Sequence, residues 1–263
     1  MANTFWHKQT LGRPLFPDLL WSRPENKAQA GKLLIIGGNV NSFAAAGEAY
    51  REAIKSGIGT VRVILPDSLQ KTVGRVFEAG EYAPSTPSGS FSRPALAEML
   101  DKSQWADGVL LAGDFGRNSE TAIVLEQFIQ KYTGQLTLAQ DAADYFVKTP
   151  KALLNRNQTL LVLSFAQLQK ITISSGFTQA FTFDMDLLRL VNTLHDFSQS
   201  QAASIIVKHM DTTIVAQSGQ VSSTKLETDQ DIWRVKTATH SAVWWLQNPT
   251  HTFEALTTSL VEG

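Results

Sequence analysis

One stretch of the sequence decides the fold: Gly31–Leu65 reads GKLLIIGGNVNSFAAAGEAYREAIKSGIGTVRVIL. An apolar run ends in two glycines, a helix-forming segment of small residues follows, and a second glycine turn leads into another apolar run. This order predicts a strand, a glycine turn, a helix and a parallel strand, the unit that builds nucleotide sites in parallel sheets. The small residues Ala44–Gly47 have two explanations. They let the backbone approach a phosphate or sugar, or they allow tight packing of the helix on the sheet.

The alternation continues along the chain. Short apolar runs predict buried parallel strands at Leu33–Ile36, Thr60–Leu65, Gly108–Leu111, Leu136–Ala139, Thr159–Leu163 and Ser204–Lys208. Apolar periodicity predicts helices at Ala45–Lys55, Ser68–Val73, Arg93–Lys102, Ser119–Tyr132, Asp184–Ser198, Trp233–Gln247 and Thr252–Val261. Asp184 and Asp186 are expected to cap the fifth of these helices. The rhythm predicts a doubly wound α/β fold with a central, mostly parallel sheet of about eight strands.

Two segments depart from this rhythm. Ile205–Val207 and Thr213–Ala216, with a turn at Ser218–Gly219, predict a hairpin at the sheet edge. Residues 75–95 are rich in proline, serine and glycine, which predicts a surface loop.

The chain divides into an arm and one domain. Residues 1–30 are polar and contain three prolines, so we predict an N-terminal arm that lies on the domain or on a neighbouring subunit. Its aromatic anchors are expected to be Trp6, Phe16 and Trp21. Residues 31–263 are predicted to form a single domain, since the length of 263 residues suits one large α/β domain.

Composition argues against several classes of function. The formal net charge is −1 and the charges are scattered, so a nucleic-acid partner is not expected. No apolar segment is long enough for a membrane span and the N-terminus lacks the pattern of a secretory signal, so a cytoplasmic protein is expected. The chain has no cysteine, which removes disulfides and thiolate chemistry, and its five histidines lack the spacing of a zinc pair. No metal-ligand set is predicted.

The segments that follow the strands carry a family resemblance. Gly37-Gly38-Asn39, Ala44-Ala45 and Gly57-Ile58-Gly59 are ungapped counterparts of a Gly-Gly-Ser turn, a Gly-Ala pair and a Gly-Ala-Gly turn. Leu110–Ala122, Thr137–Phe146 and Ser204–Val221 match later motifs in order, through Gly116, Asp141 and Lys208. Together they resemble the ADP/ATP-dependent NAD(P)H-hydrate dehydratases, a ribokinase-like family related to carbohydrate kinases. The resemblance implies a three-layer α/β/α ribokinase-like fold with a central mostly parallel sheet.

This sequence departs from the family pattern at positions that matter for chemistry. Asp114 replaces a glycine, and the stretch around Ser164 and Gln167 lacks the family's histidine and glutamate. The family's late Gly-Ser-Gly-Asp has two competing counterparts, one placing Asp231 and the other Lys236 at the aspartate, and neither restores the glycines.

The resemblance implies the site residues. The implied catalytic base is Asp231, and the implied nucleotide and phosphate ligands are Lys208, Thr212 and Thr213. The implied substrate-binding residues are Gly38, Asn39, Ala45, Gly113, Asp114, Gly116, Asp141 and Ser164. ADP or ATP with Mg²⁺ is the implied cofactor, and a homo-oligomer, tetramer or dimer, is the implied assembly. Gly38, Lys208 and Asp231 are expected to lie around one space.

Each of these residues also has a structural explanation. Asp231 could interact with a helix dipole, Lys208 could be a solvated lysine at a strand end, and Asp141 could cap a helix over Ala142–Phe146. Asp114 adds negative charge where the family brings a pyrophosphate-bearing substrate, which argues against that substrate. Two hypotheses follow: a divergent nucleotide-dependent hydro-lyase or kinase-like enzyme, and a non-catalytic relative, a pseudoenzyme, that keeps the scaffold for ligand binding or assembly.

Overall fold

The structure, a computed structural model, describes residues 4–74, 77, 79–225 and 233–261. Within these ranges ten strands form one sheet, in the order β1-β10-β9-β8-β7-β6-β5-β2-β3-β4. The bounds are β1 Trp6–Gln9, β2 Lys32–Gly37, β3 Thr60–Pro66, β4 Gly80–Ala83, β5 Gly108–Gly113, β6 Gln135–Leu138, β7 Thr159–Leu163, β8 Ser204–His209, β9 Thr212–Gln217 and β10 Gln220–Lys225. Only β9 pairs antiparallel to its neighbours, so the other nine described strands point the same way.

Helices cover both faces of the sheet. The α-helical bounds are α1 Asp18–Trp21, α2 Ala44–Lys55, α3 Gln70–Val73, α4 Ala95–Ser103, α5 Ser119–Lys131, α6 Lys151–Leu154, α7 Phe165–Ser175, α8 Leu187–Ser198, α9 Trp233–Gln247 and α10 Thr252–Thr258. Side chains of α4 to α8 pack into one buried cluster, and those of α2, α3, α9 and α10 pack into a second cluster on the opposite face. The predicted three-layer α/β/α fold with a mostly parallel sheet is confirmed.

The central strands form because their residues are apolar on both faces. Leu33 and Ile35 point into the cluster beneath α2 and α9, while Leu34 and Ile36 point into the other cluster, and all four are fully buried. A parallel strand covered by helices on both faces has this continuous apolar character. The same logic placed all six predicted parallel strands correctly within a few residues.

The sheet is larger than predicted. It contains ten described strands rather than about eight, because short edge strands extend it on both sides. The prediction of a loop over 75–95 is wrong at Gly80–Ala83, which pairs in parallel with β3. On the other edge, Trp6–Gln9 pairs in parallel with β10, so part of the first thirty residues lies in the sheet. These strands depend on a neighbouring strand for their hydrogen bonds, and four-residue runs carry little pattern of their own.

The helices differ from the prediction in two places. The helix α7 was not predicted, and the helix predicted over Ser68–Val73 is a short 3₁₀ turn followed by the single-turn α3. Asp186 is the N-cap of α8, with its carboxylate accepting from the Arg189 N–H at 2.7 Å. Asp184 lies before this cap and does not share the capping role that was expected of it.

The predicted aromatic anchors of the first thirty residues differ in their surroundings. The Trp6 indole N–H donates to the Ser223 hydroxyl at 2.9 Å, and Phe16 packs edge-on against Phe253. Trp21, in contrast, is 87% exposed. Two of the three rings therefore hold the segment against its own domain. None of the helices in the described ranges has the length and apolarity needed to cross a bilayer.

Candidate functional site

The carboxyl ends of β2 and β5 are tied together by their backbones. The Gly38 N–H donates to the Gly113 carbonyl at 2.9 Å, and the Asn39 side-chain amide donates to the Asp114 carbonyl at 2.5 Å. Asn39 also closes its own turn, since its N–H donates to the Ser42 carbonyl at 2.8 Å. Ligands of open α/β sheets bind outside these strand ends. The glycine turn is thus a rigid wall of the candidate site.

Asp114 places its carboxylate at the N-terminus of α2. One of its oxygens accepts from the Ala45 N–H and from the Ser42 hydroxyl, each at 2.8 Å. The first N–H groups of a helix have no partner within the helix, and Phe43, at the N-cap, provides no side-chain acceptor. Asp114 supplies that acceptor from another strand, along with a negative charge that the helix dipole favours.

Asp141 fills a second set of backbone donors. Its carboxylate oxygens accept from the Gly116 N–H at 3.0 Å and from the Phe115 N–H at 3.3 Å. The alternative that Asp141 caps a helix over Ala142–Phe146 is wrong, because this region forms two 3₁₀ turns without a side-chain cap. Burial raises the pKa of the Asp141 carboxyl, while its two N–H donors act in the opposite direction.

A polar chain links the ends of β6 and β7 with the start of α9. Ser164 and Gln167 form a capping box at the start of α7. The Gln167 amide donates to the Gln140 carbonyl at 2.6 Å, and its oxygen accepts from the Arg234 guanidinium at 2.9 Å. Burial lowers the pKa of Arg234, and the carboxylates of Asp144 and Asp141 oppose that effect. Arg234 therefore balances part of the negative charge at this edge.

A cavity of about 660 Å³ opens beside Asp141. The Tyr145 hydroxyl on its wall donates to the Gly116 carbonyl at 2.6 Å, and burial raises the pKa of Tyr145 to about 12. The volume lies within the range of small-molecule pockets. The lining residues are Gly116, Arg117, Asn118, Ser119, Asp141, Asp144, Tyr145 and Lys148.

The predicted phosphate ligands also lie near the carboxyl-terminal end of a parallel strand, β8, but several strands away from β2. Lys208 pairs with Thr213 across the β8–β9 hairpin, and Thr212 begins β9. Thr213 is fully buried, and within the described part of the chain its hydroxyl has no hydrogen-bond partner. Three strands separate β8 from β2, so Lys208 and Gly38 are roughly 19 Å apart at about 4.8 Å per strand spacing. The two residues therefore cannot hold the same phosphate group, and a space that both of them border must be at least this long.

The predicted base could not be placed. Asp231 lies outside the described residues, as does the rest of the Thr228–Asp231 segment. Lys236, the competing counterpart, is in the first turns of α9 and its ammonium lies 3.6 Å from the Glu48 carboxylate of α2. Lys236 thus links two helices on one face of the sheet.

A serine, a histidine and a glutamate also meet between α2 and α9. His240 Nδ1 lies 2.8 Å from the Ser56 hydroxyl and 3.4 Å from the Glu52 carboxylate. A catalytic triad needs the serine and the acid on opposite nitrogens of the ring. Here both face Nδ1, while Nε2 accepts from the Trp244 indole N–H at 3.0 Å. All four side chains are buried, so this network joins two helices and has no hydrolase geometry.

Several site residues were missed by the sequence analysis. Asp144, Tyr145 and Lys148 line the cavity, and Arg234 of α9 donates to the Gln167 side chain at the same strand ends. The Ser-x-x-Gln spacing of Ser164 and Gln167 is a sequence signature of a capping box and could have revealed α7. No comparable local signal exists for Arg234, because its role depends on the packing of α9 against the sheet.

Comparison with known proteins supports the fold. No protein-family model and no curated protein matches the sequence. A ribokinase-like superfamily protein from Enterococcus faecalis superposes with a TM-score of 0.72 at 14% identity, covering 99% of this chain and 87% of that one. A hypothetical protein from Streptococcus mutans gives 0.66 at 18% identity, covering 93% and 87%. An ADP/ATP-dependent NAD(P)H-hydrate dehydratase from Bacillus subtilis, co-crystallised with ATP/Mg²⁺, gives 0.64 at 12% identity, covering 94% and 86%. The fold of this chain is ribokinase-like, as the resemblance predicted.

Proposed function

We propose that this ribokinase-like chain binds a small polar ligand that lacks a pyrophosphate, and does not dehydrate a hydrated nicotinamide dinucleotide. One observation carries the proposal: the Asp114 carboxylate accepts from the Ala45 N–H at the start of α2. A helix N-terminus behind a glycine turn is where such folds hold phosphate. In this chain an internal carboxylate already lies there.

The charge of Asp114 is large enough to decide which ligands bind. Two unit negative charges about 4 Å apart repel by roughly 4 kcal/mol at an effective dielectric constant near 20. That energy corresponds to about a thousandfold loss of affinity. Moving the carboxylate away instead would cost α2 its cap, which is typically worth about 1 kcal/mol. Both routes disfavour a phosphate group at this helix.

Asp141 supports the same conclusion at the neighbouring amides. The Phe115 and Gly116 N–H groups point at its carboxylate, so they are not available to an anionic ligand without displacing it. The adjoining cavity carries charges of both signs, from Asp141 and Asp144 and from Arg117 and Lys148. A compact molecule with hydroxyl or mixed polar groups suits this wall better than a dinucleotide does.

The first test replaces Asp114 with glycine. Asp114 has a φ of 60°, in the left-handed region that glycine adopts freely, so Asp114→Gly should fold. We expect NADPH and inorganic pyrophosphate at millimolar concentration to leave the melting temperature of the unaltered protein unchanged and to raise that of Asp114→Gly. Bound ligand raises stability by an amount that grows with its concentration over Kd, so the shift reports affinity.

Asp114→Asn is the matched control. The amide oxygen keeps an acceptor for the Ala45 N–H but removes the negative charge, so an intermediate gain of pyrophosphate binding is expected. If the unaltered protein binds NADPH as tightly as Asp114→Gly does, the carboxylate is not an obstacle and the proposal is wrong.

A second candidate function is the nucleotide-dependent dehydratase or kinase-like enzyme. The observation that favours it is the position of Lys208 at the end of β8, next to the buried Thr213 hydroxyl. A cation beside a hydroxyl at a strand end suits a nucleotide phosphate. In this function ADP or ATP with Mg²⁺ would bind near β8, and Asp231 would accept the proton of the substrate hydroxyl.

The second candidate predicts that ATP with Mg²⁺ stabilises the protein. A nucleotide at about a hundred times its Kd adds roughly 2.7 kcal/mol to the free energy of unfolding. Turnover of hydrated NADH, if present, should disappear in Asp231→Ala while the melting temperature stays unchanged. Turnover that survives in Asp231→Ala would show that Asp231 is not the catalytic base. An absence of both nucleotide binding and turnover would contradict this second candidate function and leave only the first.

The proposal also includes a location in the cytoplasm and an oligomeric state. A cytoplasmic protein fits a chain without cysteine. The expected homo-oligomer, a dimer or tetramer, stays a prediction, and the exposed Trp21 is the residue that we expect such a contact to cover.

A further inference from the structure

A second cavity lies at the amino ends of the strands, on the side of the sheet opposite to the candidate site. It encloses about 360 Å³ near the amino ends of β5, β6, β7 and β8, and is bordered by the last turn of α9. The candidate site is at the carboxyl ends of the same strands, so a full strand length separates the two. This second cavity, the amino-edge cavity, is of a size that small molecules occupy.

Three glutamine side chains and one carboxylate give the amino-edge cavity its character. Gln135, Gln158, Gln217 and Asp107 lie in its wall, together with the apolar Trp245 and Leu246. Neither lysine nor arginine lines it among the described residues. A wall that combines amides and an acid with an aromatic side chain, and lacks a cation, does not attract phosphate or carboxylate ligands.

Gln217 presents an acceptor that nothing in the described chain satisfies. Its side-chain oxygen is buried without a hydrogen-bond partner. The side chain points to the α9 face, the same face as Val215 two residues before it. Buried polar atoms without partners are rare in proteins and each needs an explanation. A ligand donor in the amino-edge cavity would satisfy this oxygen.

The other polar groups also present acceptors. The Gln135 amide nitrogen donates to the Ala242 carbonyl at 3.1 Å, and the oxygen of the same amide is a further acceptor. Asp107 uses one carboxylate oxygen to accept from the Lys32 N–H at 2.8 Å, and a carboxylate has a second oxygen with further acceptor capacity. The cavity is therefore rich in acceptors.

We infer that the amino-edge cavity is a binding site for a small ligand rich in hydrogen-bond donors, either a polyol or an amine. Hydroxyl and ammonium groups share the donor chemistry that Gln217, Gln135 and Asp107 require. An amine gains additional attraction from the Asp107 carboxylate. The site is independent of the function proposed for the carboxyl ends of the strands.

The test uses erythritol and 1,4-diaminobutane as probes in ligand-observed saturation-transfer NMR, and inorganic phosphate, which has no carbon-bound proton to observe, as a competitor. We expect millimolar binding of erythritol or of 1,4-diaminobutane, and no displacement of either by phosphate. Gln217→Leu removes the acceptor at nearly constant size and should weaken binding about tenfold, the effect of one lost hydrogen bond. Gln217→Glu, as the second variant, should tighten binding of the diamine but not of erythritol, which separates the two ligand classes.

Two controls test whether the effect belongs to this cavity. Gln220 pairs with Gln217 across the hairpin turn but is exposed, so Gln220→Leu should bind the probes like the unaltered protein. Asp141→Asn alters the carboxyl-edge site and should also leave this binding unchanged. The inference is overturned if neither organic probe binds, if phosphate competes with them, or if folded Gln217→Leu and Gln217→Glu both bind as the unaltered protein does.

Discussion

Replacing Arg156 with alanine is expected to lower the free energy of unfolding by about 3–5 kcal/mol. The guanidinium joins α5, the β6–β7 connection and the start of β7 through six hydrogen bonds, five of them to backbone carbonyls. Those contacts are to Ile129 O, Tyr132 O, Gly134 O, Asn157 O, Gln158 O and Thr159 Oγ1, over 2.5–3.4 Å. Alanine removes the guanidinium from all six acceptors. The Gln158 and Asn157 carbonyls keep a second donor, from the Leu136 N–H and the Thr159 hydroxyl, while the other partly buried carbonyls recover only some of the loss from water.

Burial of the guanidinium makes its hydrogen bonds more important for stability. It lowers the pKa of Arg156, so the charge itself is costly and its hydrogen bonds are what offset that cost. Arg156 also donates to the carbonyl of Gln158, whose φ of 51° is in the left-handed region. Loss of the side chain should therefore loosen the turn before β7 as well.

Urea unfolding followed by circular dichroism measures the effect. Arg51→Ala is the matched control, because Arg51 has 72% of its side chain exposed and its ion pair among the described residues is with Glu48 on its own helix. Its removal should change stability by less than about 1 kcal/mol. Arg156→Lys should recover little, since an ammonium cannot reproduce the planar fork of donors. Equal stability of Arg156→Ala and Arg51→Ala would contradict the structural role given to Arg156.

The parts of the fold that were predictable are those with a strong local pattern. The run Leu33–Ile36, the glycine turn and the alanine-rich helix define one βαβ unit without any knowledge of distant residues. Each parallel strand that followed was buried on both faces and therefore continuously apolar. The edge strands β1 and β4, and β10 next to β1, have no such pattern. They exist because β10, β3 and β9 offer them backbone partners, and sequence reveals those partners only through the tertiary fold.

The strand ends around the candidate site were predictable, but the contacts between them were not. The sequence showed an aspartate in a glycine position at Asp114 and predicted a conflict with pyrophosphate. It could not show that the carboxylate reaches Ala45, because that contact joins the end of β5 to the start of α2. The same limit applies to Asp141, whose donors Phe115 and Gly116 are on the neighbouring strand connection. Both carboxylates accept hydrogen bonds from residues that are distant in the sequence and adjacent only in the folded sheet.

In these two contacts a carboxylate of the chain itself satisfies backbone N–H groups at the candidate site. Backbone N–H groups at strand ends and helix starts must have acceptors, and a ligand phosphate is only one way to supply them. When an internal carboxylate takes that role, the scaffold becomes stable without ligand. Gly113 ends β5 directly before Asp114 and lies against Gln140, the residue before Asp141, so the arrangement of both carboxylates depends on this position.

Gly113→Ala is accordingly expected to destabilise the protein by about 3–5 kcal/mol. Gly113 has a φ of 119°, which favours glycine, and an added Cβ would lie 2.5 Å from Gln140 Cβ and 3.3 Å from an Asp141 carboxylate oxygen. Gln140 Cβ is bonded to the backbone, so the clash can only be relieved by moving the backbone between the end of β6 and Asp141. That movement should also pull Asp141 away from the Gly116 N–H.

Two companion variants separate backbone strain from the clash. Gly176 has a φ of 84° and open space around an added Cβ, so Gly176→Ala measures strain alone and should cost about 1 kcal/mol. The double variant Gly113→Ala/Gln140→Gly removes the Cβ that is struck, and Gln140 itself has a φ of 53° that glycine tolerates well. We expect it to recover most of the loss beyond the strain. If the second substitution recovers nothing, the contact between these two strand ends does not hold the site together.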